Sequence, residues 1–167
     1  MERRPPTQMC GVLLLTPSMQ IEGQMEIVGA PLAFLNAEER DGLILHQAHI
    51  LPLPAGGRLR EWTQSSLTLR RQEIVLLYLT DPAVQAAVQT LTRSEQYICY
   101  TSLAVVRADF HMPAEALRYD FLAALSGDLI PATDAQAFPL IPTPLPFPER
   151  CDLLLVGRSH IQMYHPT

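Results

Sequence analysis

An internal repeat constrains the fold of this chain more than any other feature of its sequence. A shift of 87 residues aligns residues 10–80 with residues 97–167 without a gap. About a dozen aligned positions are identical, more than the four or five that chance would give. The identical positions include Phe34 with Phe121, Asp41 with Asp128, and Arg71 with Arg158. The sequence therefore predicts two copies of one unit of about 70 residues, with matched residues in equivalent places and with Phe34 and Phe121 both buried.

Each copy shows the same succession of strand and helix patterns. In the first copy, apolar residues alternate with polar ones from Met19 to Ile27, which is the pattern of a half-buried strand. The other strand-like runs and short helical turns occur in matched places: residues 11–16 with 97–101, 31–40 with 117–125, 43–53 with 129–140, and 67–79 with 153–164. The predicted fold class is mostly β, with two tandem β-β-(short helix)-β-β units.

A helical connector is predicted between the copies. Asp81 is suited to be the N-cap and Pro82 the first residue of a helix that begins there. The predicted organisation is repeat 1 at residues 10–80, a connector at 81–96 and repeat 2 at 97–167. Because one unit of this size buries only a thin core, the two are expected to form one shared structural unit.

Composition and charge exclude several classes of protein. The net charge of −5 and basic runs of at most two residues, such as Arg70-Arg71, offer little attraction for a phosphate backbone, so this pattern disfavours nucleic-acid binding. No apolar run approaches the roughly 18 residues of a membrane span, and the N-terminal region lacks a signal-peptide pattern, so we expect a cytoplasmic protein without membrane attachment. Three cysteines without metal-type spacing indicate reduced thiols.

The motifs of common catalytic sites are missing from the sequence. It contains no Gly-x-Ser-x-Gly, His-Glu-x-x-His or glycine-rich phosphate motif. His46 and His49 lie three residues apart on a predicted strand, where that spacing would place them on opposite faces. Glu22 and Asp109 occupy aligned positions, but the alternation around Glu22 favours solvated side chains over a carboxylate pair. The sequence thus predicts no catalytic residue, no metal site and no cofactor, and it leaves open whether the protein is an enzyme.

Two pairs of residues are candidates for binding. Arg71 and Arg158 could hold an anionic ligand through their guanidinium groups, although pairing with a carboxylate such as Asp41 or Asp128 is favoured. Trp62 and Phe147 lie in the two loops that differ most between the copies. They are the best candidates for an exposed apolar interaction surface, unless they fold back on the sheet.

Four short motifs resemble a small bacterial β-rich domain family of unknown function. They are Ile21-Glu-Gly23, Leu32-Ala-Phe-Leu-Asn36, Leu129-Ile-Pro-Ala-Thr-Asp-Ala135 and Gly157-Arg-Ser-His-Ile161. The first copy departs from the third motif, because Leu45-His-Gln-Ala48 stands where the second copy keeps Thr-Asp-Ala. The resemblance implies small bent sheets or partly open barrels, loosely Sm-like, and it implies no catalytic residues.

The sequence favours a non-catalytic assembly or interaction module, because the strand patterns account for nearly every apolar residue. RNA or nucleotide binding on an Sm-like barrel is one alternative. A second is a small-molecule or enzyme site in the cleft between the repeats, lined by Arg71, Arg158 and histidines. The expected partner is a second copy in a twofold homodimer, with other protein partners possible in principle. This expectation rests on Ile74 to Leu79, an apolar closing strand that would need cover if it lay at a sheet edge.

Overall fold

The computed structural model describes residues 5–53 and 57–167. These residues form one antiparallel ten-stranded sheet, which confirms the mostly β class. The strands in chain order are β1 (Thr7–Leu15), β2 (Met19–Val28), β3 (Gly42–Pro52), β4 (Trp62–Arg70), β5 (Leu76–Leu79), β6 (Arg93–Tyr100), β7 (Ala104–Met112), β8 (Leu129–Pro139), β9 (Arg150–Gly157) and β10 (Met163–Pro166). The helices are α1 (Pro31–Leu35), α2 (Pro82–Ala86) and α3 (Phe121–Ala124), with 3-10 turns at Arg71–Glu73 and Arg158–His160.

The order of the strands divides the sheet into two runs of five. Along the sheet the order is β10-β6-β7-β8-β9-β5-β1-β2-β3-β4. The first half of the chain therefore supplies β5-β1-β2-β3-β4, and the second half supplies β10-β6-β7-β8-β9. Antiparallel pairing of β5 with β9 joins the runs, and we call this pairing the joint. Within the described residues the sheet does not close, and β4 and β10 are its end strands.

The elements of the two halves follow two different offsets along the chain. β3 and β8, the two 3-10 turns, and β5 and β10 all begin 87 residues apart. The turns that follow β1 and β6 instead lie 85 residues apart: the amide of Thr16 donates to the carbonyl of Met19 at 2.8 Å, and that of Thr101 donates to the carbonyl of Ala104 at 3.0 Å. The gapless alignment is therefore wrong for the first two strands, because the second half has a longer link between its second and third strands.

The longer link also changes the environment of the matched phenylalanines. Phe121 is fully buried and its ring stacks on that of Tyr97, with ring centroids 4.2 Å apart. Phe34 is only partly buried, and the guanidinium of Arg40 lies 4.8 Å from the centroid of its ring. In α1 the fully buried residue is Leu35. The expectation that Phe34 and Phe121 are equivalent buried residues is therefore wrong.

A residue with positive φ bends the third strand of each run. Gln47 has φ 51° in β3, and Asp134 has φ 46° in β8. Leu45 and Ala48 are both buried although they are three residues apart, so β3 exchanges its two faces at this point. A bulge of this kind curves a strand, and here it curves both runs in the same place.

The bend corrects the expectation for His46 and His49. On a regular strand a spacing of three residues would separate them, but the exchange of faces at Gln47 leaves both on the side away from the core. His49 Nε2 lies 2.7 Å from a carboxylate oxygen of Glu61. The described residues contain no group of three or more histidine, cysteine, aspartate or glutamate side chains that could hold a metal ion.

Two apolar cores fill the bends, and each core receives side chains from both halves of the chain. The first core consists mostly of residues from β1 to β5, but Leu153 and Leu155 of β9 also pack in it. The second core receives Val75 and Leu76 from the first half. Each of the strands β5 and β9 buries one of its faces in the first core and the other face in the second core. Both halves of the chain are therefore needed to complete either core.

The connector is shorter than the sequence predicts. The carboxylate of Asp81 accepts a 2.9 Å hydrogen bond from the amide of Ala83, which confirms the N-cap. Helix α2 nevertheless spans only Pro82–Ala86, and β6 begins at Arg93, within the predicted connector of residues 81–96.

The apolar segment Ile74 to Leu79 lies inside the sheet. Its strand, β5, pairs with β1 on one side and with β9 on the other. Leu76 and Leu77 have no exposed surface. The segment is therefore not a sheet edge, and it gives no reason for a dimer.

Candidate functional site

The joint requires a glycine at the end of β9. A Cβ atom added at Gly157 would lie 2.0 Å from the carbonyl oxygen of Ile74, which is backbone and cannot rotate away. The amide of Gly157 donates to the carbonyl oxygen of Val75 at 2.9 Å. Gly157 has φ −66°, so the close approach of β9 to the 3-10 turn, and not its backbone conformation, excludes a side chain.

An ion pair crosses the joint beside this contact. Nε of Arg71 donates to a carboxylate oxygen of Asp128 at 2.7 Å. Nη1 of Arg71 donates to the carbonyl of Ala37 at 2.7 Å and to that of Leu35 at 3.3 Å. Arg71 is 8% exposed, so its guanidinium is occupied by the protein itself. The favoured pairing of Arg71 with a carboxylate is thus confirmed, and Asp128 is the partner.

Asn36 links the halves in a second place. Its side-chain amide donates to the carbonyl of Leu129 at 2.8 Å and accepts from the amide of Leu129 at 2.9 Å. These two bonds satisfy the backbone amide and carbonyl of the first residue of β8, as a neighbouring strand would. The residue 87 positions later is Ala123, so the contact has no counterpart in the aligned sequence.

A cleft of about 760 Å³ opens next to the ion pair. It lies between the end of α1, the connector after α2, and the loop that leads into β8. Both predicted arginines line it, so the structure brings Arg71 and Arg158 together. The guanidinium of Arg158 makes one hydrogen bond within the described chain, from Nη1 to the carbonyl of Leu125 at 2.8 Å. No carboxylate of the described residues lies within ion-pair distance of it.

One histidine also lines the cleft, but its ring is already bonded. Nδ1 of His111 lies 2.8 Å from the carbonyl of Leu91, and Nε2 lies 2.7 Å from the hydroxyl of Thr133. The carbonyl can only accept, so Nδ1 carries a proton and donates it to Leu91. Bonds at both ring nitrogens thus hold His111 between the connector and the sheet.

The two end strands of the sheet differ in length and composition. β4 has nine residues, without proline and without a charged side chain from Trp62 to Leu69. β10 has four residues, one of which is Pro166 and has no amide hydrogen. Most side chains of β4 are exposed and polar, including Ser66 and Thr68. β4 is therefore the longer and less protected edge.

The predicted interaction residues have different surroundings. Phe147 is 7% exposed and belongs to the second core, so the expectation that it forms an exposed surface is wrong. Trp62 is partly buried at the start of β4, where it packs against the first core. Only Trp62 of this pair lies at a free edge of the sheet.

Glu22 and Asp109 lie on strands that are not neighbours in the sheet. Glu22 on β2 and Asp109 on β7 are separated in the sheet by β8, β9, β5 and β1. Glu22 is exposed to solvent. The structure does not bring them together as a carboxylate pair.

The three cysteines are free thiols in the structure. Burial raises the pKa of Cys99 to about 12. Burial, with the carboxylate of Asp152 as a smaller cause, raises the pKa of Cys151 to about 11. The pKa of Cys10 is also raised by burial. A raised pKa keeps a thiol protonated and unreactive, so none of these groups resembles an activated nucleophile.

Comparison of the chain with protein-family models, curated proteins and solved structures finds no match. None of the helices in residues 5–53 and 57–167 is long and apolar enough to cross a membrane.

Sequence reasoning identified Arg71 and Asp128 but missed Gly157 and Asn36. Gly157 had a usable signal, since a glycine in an apolar strand often marks a close backbone approach. No local sequence pattern indicated the role of Asn36, because its partner Leu129 lies in the other half of the chain.

Proposed function

We propose that this protein is a non-catalytic interaction module that binds a partner strand along β4, and that a second copy supplies this strand in a twofold dimer. The observation that carries the proposal is the long edge of β4, which ends an open sheet. An edge strand exposes unpaired amide and carbonyl groups, which other strands can bind.

The composition of β4 supports edge pairing. Natural edges usually carry lysine, proline or inward-facing charges that discourage pairing. Thr63, Gln64, Ser65 and Ser66 are exposed, uncharged and compatible with a strand. Such a surface can pair with another strand without burying a charge.

A head-to-tail arrangement of copies would have to repeat the joint between β10 of one molecule and β4 of the next. Three residues of β4 oppose this. Arg70 takes the place of Gly157, where a side chain would meet the backbone of the neighbouring turn. Ser66 and Thr68 take the places of Leu153 and Leu155, which fill the first core across the joint.

Twofold pairing of β4 with β4 of another copy avoids this contact. An antiparallel strand pair related by a twofold axis is self-complementary and closes after two copies. It needs no apolar face, because both partners contribute the same polar strand. The twofold dimer is therefore favoured over an open chain of molecules.

The proposed module consists of two fused copies of one bent five-stranded unit, similar to the small bacterial β-rich domain family noted above, which is loosely Sm-like. Support comes from the matched strand order of the two halves and from Gln47 and Asp134, which lie 87 residues apart and share positive φ. No catalytic constellation is part of the proposal.

Light scattering coupled to size-exclusion chromatography tests the dimer. We expect a mass of twice 18.6 kDa for the wild type at micromolar concentration. The double variant Ser66→Lys/Thr68→Lys should have the monomer mass, because two cations on each edge would face those of the partner.

The matched control is Ala83→Lys/Ala86→Lys, which adds the same charge to exposed positions on α2. It should remain a dimer. A wild-type mass of 18.6 kDa at every concentration, or an edge variant that still dimerises, would exclude pairing along β4.

A further inference from the structure

We infer that the cleft beside the joint binds a small organic anion with an apolar body, and that Arg158 binds its anionic group. No residue of β4 lines the cleft. Binding in the cleft can therefore be tested independently of the proposed dimer.

The two arginines of the cleft differ in the bonding capacity that they retain. Arg71 bonds Asp128 and two carbonyls and is 8% exposed. Arg158 bonds one carbonyl, that of Leu125, and is partly exposed. A guanidinium has five N–H donors in a planar fork that fits a carboxylate or a similar anion. Arg158 is thus the cation of the cleft that has donors to offer a ligand.

The carboxylates of the cleft do not occupy the free N–H donors of Arg158. Asp128 is paired with Arg71 at 2.7 Å, and Glu38, the other carboxylate of the lining, is exposed to solvent. With one cation unpaired, the cleft suits a single negative charge. A polyanion such as a triphosphate would need further cations, and His111 is already bonded at both ring nitrogens.

The lining also includes apolar side chains that can contact an apolar body. Leu32, Leu91, Pro113, Leu125 and Pro131 contribute to the walls. The volume of about 760 Å³ lies within the range of small-molecule sites. A charged group held by an arginine among apolar walls is a common arrangement for binding an amphipathic monoanion.

A pair of matched probes tests the need for charge on the wild-type protein. In ¹H–¹⁵N NMR titrations, 2-naphthoate should bind saturably and shift the amide signals of Gly127, Asp128 and Arg158. The neutral isostere 2-naphthamide has the same ring system and should bind at least about tenfold more weakly, the effect of losing one charge-assisted hydrogen bond.

Two variants separate the role of Arg158 from a general effect of charge. Arg158→Met should weaken naphthoate binding at least about tenfold and leave naphthamide binding unchanged. The control Arg107→Met removes an exposed arginine whose bonds are to Gln96 on the neighbouring strand, and it should not change naphthoate binding.

Equal affinity for the two probes, or naphthoate shifts that lie away from the cleft, would overturn the inference. The comparison of probes needs no variant, so this outcome is decisive even if Arg158→Met lowers stability.

Discussion

Substitution of Gly157 by alanine tests how closely the two halves of the sheet meet at the joint. The added Cβ would lie 2.0 Å from the carbonyl oxygen of Ile74 and 3.1 Å from its carbonyl carbon. It would also lie 3.1 Å from Cδ2 of His160. Because φ is −66°, alanine can adopt the backbone conformation, and the effect comes from contact alone.

The expected loss of stability follows from three contributions. Relief of the contact requires β9 to move away from the turn by about 1 Å, and overpacking of this kind costs about 1–3 kcal/mol. The movement also weakens the 2.9 Å hydrogen bond from Gly157 to Val75, which contributes about 1 kcal/mol. Alanine restricts the unfolded chain and returns about 0.4–1 kcal/mol. The net decrease in the free energy of unfolding is about 1–3.5 kcal/mol.

Urea denaturation followed by circular dichroism and by the fluorescence of Trp62 measures this decrease. The substitution should be made in the Ser66→Lys/Thr68→Lys background, so that dimerisation does not contribute. The control is Gly57→Ala, since a Cβ at Gly57 meets nothing within 4 Å. We expect it to change stability by less than about 0.5 kcal/mol.

A Gly157→Ala variant as stable as its background would show that the joint accommodates a side chain. Arg70 would then be no obstacle to head-to-tail pairing of copies, because its side chain would occupy the equivalent place.

Two further predictions concern the thiols and the shared core. In the folded protein at pH 8, all three cysteines should react with a disulfide reagent far more slowly than a free thiol, because burial raises the pKa of Cys10, that of Cys99 to about 12 and that of Cys151 to about 11. All three cysteines should react at once in denaturant, and rapid release of one equivalent from the folded protein would contradict this. Residues 1–81 expressed alone should be unfolded or aggregated, because the first core would lack Leu153 and Leu155 and β5 would lose β9, one of its two partner strands. A cooperative thermal transition of that fragment would show that the halves fold independently.

The sequence predicted those features that depend on local pattern. The alternation from Met19 to Ile27 indicated β2, and Asp81 with Pro82 marked the start of α2. Matched charges at aligned positions indicated that Arg71 would meet an aspartate, although not which half would supply it.

The features that the sequence did not predict depend on how the two halves meet. Phe147 follows a proline-rich segment that resembles an exposed loop, yet it packs in the second core. His46 and His49 share a side of the sheet because the strand bulges at Gln47, a residue that is uncommon at positive φ and gives no signal. The sequence alone indicated a single offset of 87 residues, because the aligned identities lie mostly in the part of the repeat that follows this offset. The offset of 85 residues for the first two strands of each half was therefore not predicted.

The joint has a consequence for how the two halves can evolve. Suppose that identical single units assembled through the same joint. Every copy would then have the same fourth strand, so the glycine that the joint requires would also be present on a fourth strand that has no partner. In one chain the connector holds β5 and β9 at a high effective concentration, whatever the concentration of the protein. The two fourth strands are then free to diverge. β9 carries Leu155 and Gly157 at the joint, while β4 carries Thr68 and Arg70 87 residues earlier in the chain and lies at the free edge of the sheet.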